Sequence, residues 1–292
     1  MSNRYPLTIG VAAGKGGTGK TLIATSLALA IAESDGTPVR LLDCDVEEPN
    51  SWLLLSPDEH ERRTVDVALP KVDMDLCTLC GRCAEVCEVS AIARIRDKIV
   101  IFPDLCFACG SCVFACPVNA LSEVPKTVGE VRTGLTPEGV EVREGRLAVG
   151  QMRAGPVTRE VRTAVEPPLV TVIDSPPGTA CPMQQAVEGT DFCILVTEPT
   201  PFGRSDLRAA VETCQALGVP CGVVVNRLDP GEPVPDDLSP EGVPVLLEIP
   251  HDRGIAEAYS RGEALYRAFP AWREPLTHLY HEVRRLAGTR SE

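Results

Sequence analysis

The chain has 292 residues, 44% hydrophobic and 24% charged, the proportions of an ordinary soluble protein long enough for about two domains. A net charge of −13 and a pI near 4.9 exclude nonspecific nucleic-acid binding, which needs clustered Lys and Arg to displace counterions. No stretch reaches the roughly 20 apolar residues that span a bilayer. No charged-then-apolar leader opens the sequence, so its 13 cysteines point to metal thiolates in a reducing, cytoplasmic setting.

Leu7 to Ala13 is short, apolar and rich in β-formers, which predicts a buried strand. Gly14-Lys15-Gly16-Gly17-Thr18-Gly19-Lys20-Thr21 follows, then a helical stretch from Lys20 to Glu33. A Gly-x4-Gly-Lys-Thr run between strand and helix is a phosphate loop. Its glycines let backbone N–H groups wrap the phosphates of ATP, and the helix N-terminus adds its dipole. Lys20 is placed to meet the β- and γ-phosphates, and Thr21 the Mg2+. Val39 to Leu42 predicts a second buried strand ending in Asp43-Cys44-Asp45, and this βαβ order predicts a parallel sheet. Val65, Val67 and Leu69 alternate as a short strand.

Two combs of cysteine come next: Cys77, Cys80, Cys83 and Cys87, then Cys106, Cys109, Cys112 and Cys116. Each reads C-x2-C-x2-C-x3-C, and each cysteine lies 29 residues before its counterpart. That spacing is the ligand run of a pair of [4Fe–4S] clusters. Zinc also takes C-x2-C pairs, but tandem four-cysteine runs fit it poorly. The repeat extends beyond the cysteines, since Asp75-Leu76-Cys77 matches Asp104-Leu105-Cys106 and Ala91-Ile92 matches Ala120-Leu121. Halves this small hold little core, so metal binding is expected to supply much of their stability.

Val128 to Val149 alternates about Pro137-Glu138-Gly139 as a β-hairpin. Buried strands are expected at Val170–Ile173, before Asp174-Ser175-Pro176-Pro177-Gly178, and at 192–197, 221–225 and 245–249. Helices are expected at 205–217, 255–267 and 275–286, with a proline-rich loop at 230–244. The fold class is therefore α/β. A mostly parallel sheet of a P-loop NTPase, residues 1–71 and 125–292, carries an inserted small α+β ferredoxin-like domain at 72–124.

Lys15 makes the phosphate loop Gly-Lys-Gly-Gly-x-Gly-Lys-Thr, which resembles the deviant loop of the MinD/ParA/nitrogenase iron-protein class. The two combs, Asp43-Cys44-Asp45-Val46-Glu47-Glu48-Pro49-Asn50 and the segment from Asp174 to Pro182 resemble the MinD-superfamily ATPases with an inserted two-cluster ferredoxin domain. The resemblance implies a homodimer in which Lys15 reaches the partner's ATP. It implies that Asp45, with Asn50, positions the attacking water, and that Asp174 holds Mg2+ through water. It also implies that Gly178 senses the γ-phosphate and that Asn226, Arg227 and Pro250 lie about the adenine. Asp43 is read as structural. In two-cluster ferredoxins the fourth cysteine of each run crosses over, which implies Cys77, Cys80, Cys83 and Cys116 on one cluster and Cys87, Cys106, Cys109 and Cys112 on the other.

Three departures stand out. Leu22 replaces a second threonine usual after the loop, and Glu88 replaces the proline that follows the second comb as Pro117. Cys181 falls where the nitrogenase iron protein holds a shared cluster, but the partner ligand position is Gln151. Cys181 is thus either structural or a transient metal contact, while Cys44, Cys193, Cys214 and Cys221 are read as core. Trp272, Leu276, Leu279, Tyr280, Val283 and Leu286 mark one face of the last helix, expected to pack on the sheet rather than on a membrane.

The first functional reading is ATP-gated electron transfer to a redox partner, with ATP, Mg2+ and two [4Fe–4S] clusters as cofactors. The alternative is delivery of clusters or metal cofactors to an apo-metalloprotein acceptor. A MinD- or ParA-like positioning ATPase is the third.

Overall fold

The computed structural model describes residues 6–163, 170–235, 238 and 242–288. The predicted βαβ start is present: β1 (Leu7–Ala12) runs through the glycine loop into α1 (Lys20–Asp35) and β2 (Val39–Asp43). Then come α2 (Ser51–Leu55), β3 (Asp58–Val72), α3 (Arg82–Glu85), β4 (Ile92–Ile95), β5 (Lys98–Ile101) and α4 (Ser111–Phe114). β6 (Leu121–Leu135) and β7 (Val140–Leu147) are followed by α5 (Ala154–Arg162), β8 (Val170–Asp174), α6 (Cys181–Val187) and β9 (Phe192–Thr197). The chain closes with α7 (Pro201–Ala216), β10 (Cys221–Leu228), β11 (Val245–Pro250), α8 (Arg253–Ser260), α9 (Leu265–Ala268) and α10 (Arg273–Gly288).

Nine strands form one sheet in the order β11-β10-β9-β1-β8-β2-β7-β6-β3. β1 pairs in parallel with β8 and β9, β2 with β8 and β7, and β10 with β9 and β11. Side chains alternate across the central strands, as a strand buried on both faces requires. On β9, Ile194 and Val196 join the core shared with α1, α9 and α10, while Cys193 and Leu195 join the one shared with α6 and α7. Leu22 to Ala32 of α1 is buried throughout, and each fully buried Leu or Ile there contributes roughly 1.5–3 kcal/mol. The apolar face of α10, with Leu276, Leu279, Tyr280 and Val283, packs into this core as expected. Among the described residues no helix is long and apolar enough to cross a membrane.

The chain divides into two compact units. The first comprises Met1–Arg63, Val131–Arg146 and Thr158–Glu292, and the second Thr64–Glu130 and Leu147–Val157. The second takes in more chain than residues 72–124, because β3 and β6 continue past the cysteine repeat. Within it β4 and β5 pair as an antiparallel hairpin, and its core is small: Ile92, Ile99, Leu121, Leu69 and Ala91 with Cys83, Cys106 and Cys112.

The structure differs from the sequence reading in three elements. β3 starts at Asp58, not near Val65; its first residues, Asp58 to Thr64, are exposed on an edge strand and carry no apolar alternation. β6 starts at Leu121 rather than at the hairpin boundary of Val128. The helix expected over 255–267 is two, α8 and α9, because Gly262 adopts φ +79 and the N–H groups of Arg261 and Gly262 close the end of α8 on Ala258 and Tyr259. Part of the proline-rich loop lies outside the described residues.

Candidate nucleotide site and cysteine-lined cavities

Parallel pairing aligns the carboxyl ends of β1, β8 and β2, where open α/β sheets bind ligands. Asp43 and Asp174 are register partners on β2 and β8, and Val11 of β1 stands opposite Asp174. Beside these strand ends a cavity of about 410 Å³ opens. Gly16, Gly17, Gly19, Lys20, Thr21, Asp45, Asn50, Asn226, Arg227 and Pro250 all line it. The other expected residues do not line it. Gly14 packs under α7, where a Cβ would lie 2.4 Å from the Asp206 carbonyl oxygen. Thr18 and Asp174 are buried, Lys15 bonds elsewhere, and Gly178 (φ +94) donates its N–H to Ala13 O at 3.0 Å.

The loop is held tightly. Asn226 Nδ2 donates to Thr18 O at 2.8 Å, and a Cβ on Gly19, whose φ is +100, would lie 2.5 Å from that nitrogen. Thr21 Oγ1 donates to Asp174 Oδ2 at 2.6 Å, leaving Asp174 Oδ1 buried without a partner. The Thr18 hydroxyl is likewise buried and unpartnered. A carboxylate oxygen beside the threonine that follows the loop lysine suits Mg2+ and its waters. Burial raises the Asp174 carboxyl to about 7, against the pull of Lys20 and the Thr21 hydrogen bond. Asp45 is likewise raised to about 6 by burial, with Lys20 drawing it back down. Asp43 accepts the N–H groups of Asp45 (3.1 Å), Asn50 (3.2 Å) and Ser51 (3.0 Å), so it shapes the segment carrying Asp45 and Asn50. Burial, then the nearby carboxylates of Asp174 and Glu144, hold it well above its usual range.

Two features escaped the sequence reading. His251, Asp252, Ile255, Ala256 and Tyr259 wall the cavity from α8 and the turn before it. Burial, followed by the charges of Asp174 and Asp43, raises the Tyr259 phenol. Their one sequence signal was Asp252, which caps α8 by accepting the Gly254 N–H at 2.7 Å. The other is Glu198, just past β9, which binds Lys15 Nζ at 3.0 Å and the Arg227 guanidinium.

In the second unit the two combs adopt the same backbone. Leu79 (φ 56) and Ala108 (φ 53) are left-handed, as are Ser90 (φ 55) and Asn119 (φ 52), and Gly81 and Gly110 precede α3 and α4. Left-handed Leu, Ala and Ser are strained, and such strain gathers at ligand-binding loops. The thiols line two small cavities. Cys77, Cys80, Cys83 and Cys116 line one; Cys87, Cys106, Cys109 and Cys112 line the other. Among the described residues no three His, Cys, Asp or Glu side chains are grouped to hold a metal ion. Backbone N–H groups point at sulfur: Ala91 to Cys87 Sγ and Ala120 to Cys116 Sγ, both at 3.2 Å, and Ala108 to Cys106 Sγ at 3.4 Å. Cys44, Cys193 and Cys214 are buried, Cys221 is partly so, and Cys181 is exposed at the start of α6.

The profile of the CobQ/CobB/MinD/ParA nucleotide binding domain matches residues 9–265. Two proteins of Methanocaldococcus jannaschii are similar along most of the chain. The uncharacterized protein MJ0579 is 27% identical over 89% of this chain and 92% of its own. The uncharacterized protein MJ0578 is 32% identical over 76% of this chain and 78% of its own. Among solved structures, the septum site-determining protein MinD of Pyrococcus horikoshii, complexed with Mg-ADP, shares the fold. It has a TM-score of 0.60 and 21% identity over 98% of this chain and 99% of that one.

Proposed function

The chain belongs to the CobQ/CobB/MinD/ParA nucleotide-binding family, and on that premise we propose that it is a dimeric, MgATP-hydrolysing iron–sulfur protein whose nucleotide state governs low-potential electron transfer to a partner. Backbone N–H groups of the Gly16–Lys20 loop cradle the phosphates, Lys20 neutralises them, and Thr21 with Asp174 holds Mg2+. Asp45 orients the attacking water. The unpartnered Thr18 hydroxyl and Asp174 oxygen support a phosphate and a hydrated cation at this place.

The observation that carries the iron–sulfur half is the composition of the two cavities. Each is lined by three cysteines of one comb and the last cysteine of the other. Four thiols about each cavity, shared between the two combs, are the number and type of ligand that a [4Fe–4S] cluster takes, and this supports the cluster reading. Bound clusters would supply one-electron redox chemistry. The chain's part is to hold them, and to aim N–H groups at sulfur, which stabilises the more negative state.

Cluster or metal delivery to an apo-protein uses the same parts. A second reading, a positioning ATPase, is favoured by the MinD likeness and leaves the cysteine unit without a redox task. The deciding experiment is anaerobic reconstitution with iron and sulfide, followed by an EPR redox titration with and without MgATP. About eight irons per chain and a nucleotide-dependent shift of some 50 mV or more, close to a tenfold change for a one-electron couple, are expected. Unmoved potentials with clusters bound would replace electron transfer by cluster delivery. A chain that takes up no iron yet hydrolyses ATP would leave the positioning reading.

A further inference from the structure

Glu198 joins two residues that the sequence places in different roles. Its side chain is only 9% exposed, yet it meets two cations: Lys15 of the phosphate loop, 3.0 Å away, and Arg227 beyond β10. Lys15 is a third exposed and Arg227 half exposed. The backbone that carries the carboxylate is fixed. The Glu198 carbonyl accepts the Thr200 N–H at 2.8 Å, and Thr200 caps α7 by accepting the Gly203 N–H at 3.0 Å. A Cβ on Gly203 would lie 2.3 Å from the Glu198 carbonyl oxygen, so α7 sits directly against this residue.

We propose that Glu198 is a positioning residue that parks Lys15 within its own chain and releases it when nucleotide and a second copy assemble. The inference rests on the reading of Lys15 as the lysine that serves the partner's ATP. Removing the sole partner of a buried charge is strongly unfavourable. Here Arg227 remains to neutralise Glu198, so Lys15 can leave without stranding it. Arg227 lines the nucleotide cavity and Lys15 does not, so a nucleotide that crowds Arg227 onto Glu198 strengthens that pair and loosens the hold on Lys15. Glu198 thereby links filling of the site to freedom of the lysine.

Two readouts on the full chain test this. Acylation of Lys15 by an amine-reactive ester, followed by mass spectrometry on nucleotide-free protein, reports parking alone. It should rise about fivefold in Glu198→Gln, the scale of a lost partly buried ion pair. Unchanged labelling would overturn the proposal. The dependence of ATP hydrolysis on protein concentration, at saturating MgATP, reports release. Glu198→Gln should reach half-maximal specific activity at about fivefold lower protein concentration, and the gain should vanish in Lys15→Ala/Glu198→Gln. A gain that survives without Lys15 would overturn the proposal. If Lys15→Ala alone keeps wild-type rates at every concentration, the trans-acting reading fails, while the labelling result still judges parking. Glu198→Asp, which keeps the charge but withdraws it, guards against misfolding. It should label between wild type and Glu198→Gln, and wild-type labelling there together with unchanged labelling in Glu198→Gln would overturn parking.

Discussion

The two units of the chain are stabilised in different ways. The nucleotide unit buries apolar side chains on both faces of a parallel sheet, with α1 enclosed almost entirely. The cysteine unit has a core of a few aliphatic residues, and three of its buried side chains are comb cysteines. Of the fourteen large hydrophobics exposed among the described residues, eleven lie in the cysteine unit, Phe107 and Phe114 among them. A sheet with two apolar layers can stand on burial alone. A segment that exposes its aromatics and has so small a core is expected to draw stability from groups its cysteines bind.

The largest expected effect tests that contrast. Anaerobic removal of iron by a chelator should open the cysteine unit to proteolysis between residues 64 and 130 while the nucleotide unit stays resistant. Cys112→Ala should halve the iron content, from about eight to about four per chain. Limited proteolysis mapped by mass spectrometry, with iron analysis alongside, checks both. A cysteine unit that stays intact without iron would erase the difference between the units.

Next come the chemical groups of the nucleotide unit. Lys20→Ala and Asp45→Asn should each lower kcat for ATP hydrolysis by about 10²–10³, the scale for removing one group that acts on the transition state. Burial raises Asp45 to about 6, and an acting carboxylate must be ionised. Asp174, raised to about 7, titrates in the same free protein, so kcat/KM should fall as the pH drops through about 7 and fall further through about 6 as Asp45 takes up its proton. A profile flat down to pH 5 would remove Asp45 from the mechanism. Gly19→Ala acts through the backbone instead, since φ is +100 and the new methyl would meet Asn226. A loss of about 1–3 kcal/mol is expected by chemical denaturation, together with weaker nucleotide binding.

How much was legible followed the same division. The phosphate loop, the buried strands and the cysteine repeat are local patterns, and local patterns survive in a sequence read alone. Glu198 is not such a pattern. Its importance arises because the sheet brings residues 15, 198 and 227 together, and nothing near position 198 announces it. Tyr259 belongs with it, a core-like tyrosine until α8 turns it toward the carboxylates. Asp58 to Thr64 escaped for the opposite reason, because a strand exposed on both faces has no apolar rhythm to read.

The smallest effect tests whether the two combs are mechanically equivalent. Pro117 follows the second comb and Glu88 stands at the matching place in the first. Downstream of both, the geometry repeats: Ser90 N–H bonds to Cys87 O as Asn119 N–H does to Cys116 O, and Ala91 and Ala120 each donate to the cysteine sulfur at 3.2 Å. The backbone of the first comb therefore suits a proline already, and Glu88→Pro should stabilise the cysteine unit by about 0.5 kcal/mol through the unfolded chain. It should also slow iron loss to a chelator by a factor of about two, the same energy expressed as a rate. Faster loss would mean that the first comb needs the freedom that glutamate leaves it, and that the repeat conceals a functional difference between its halves.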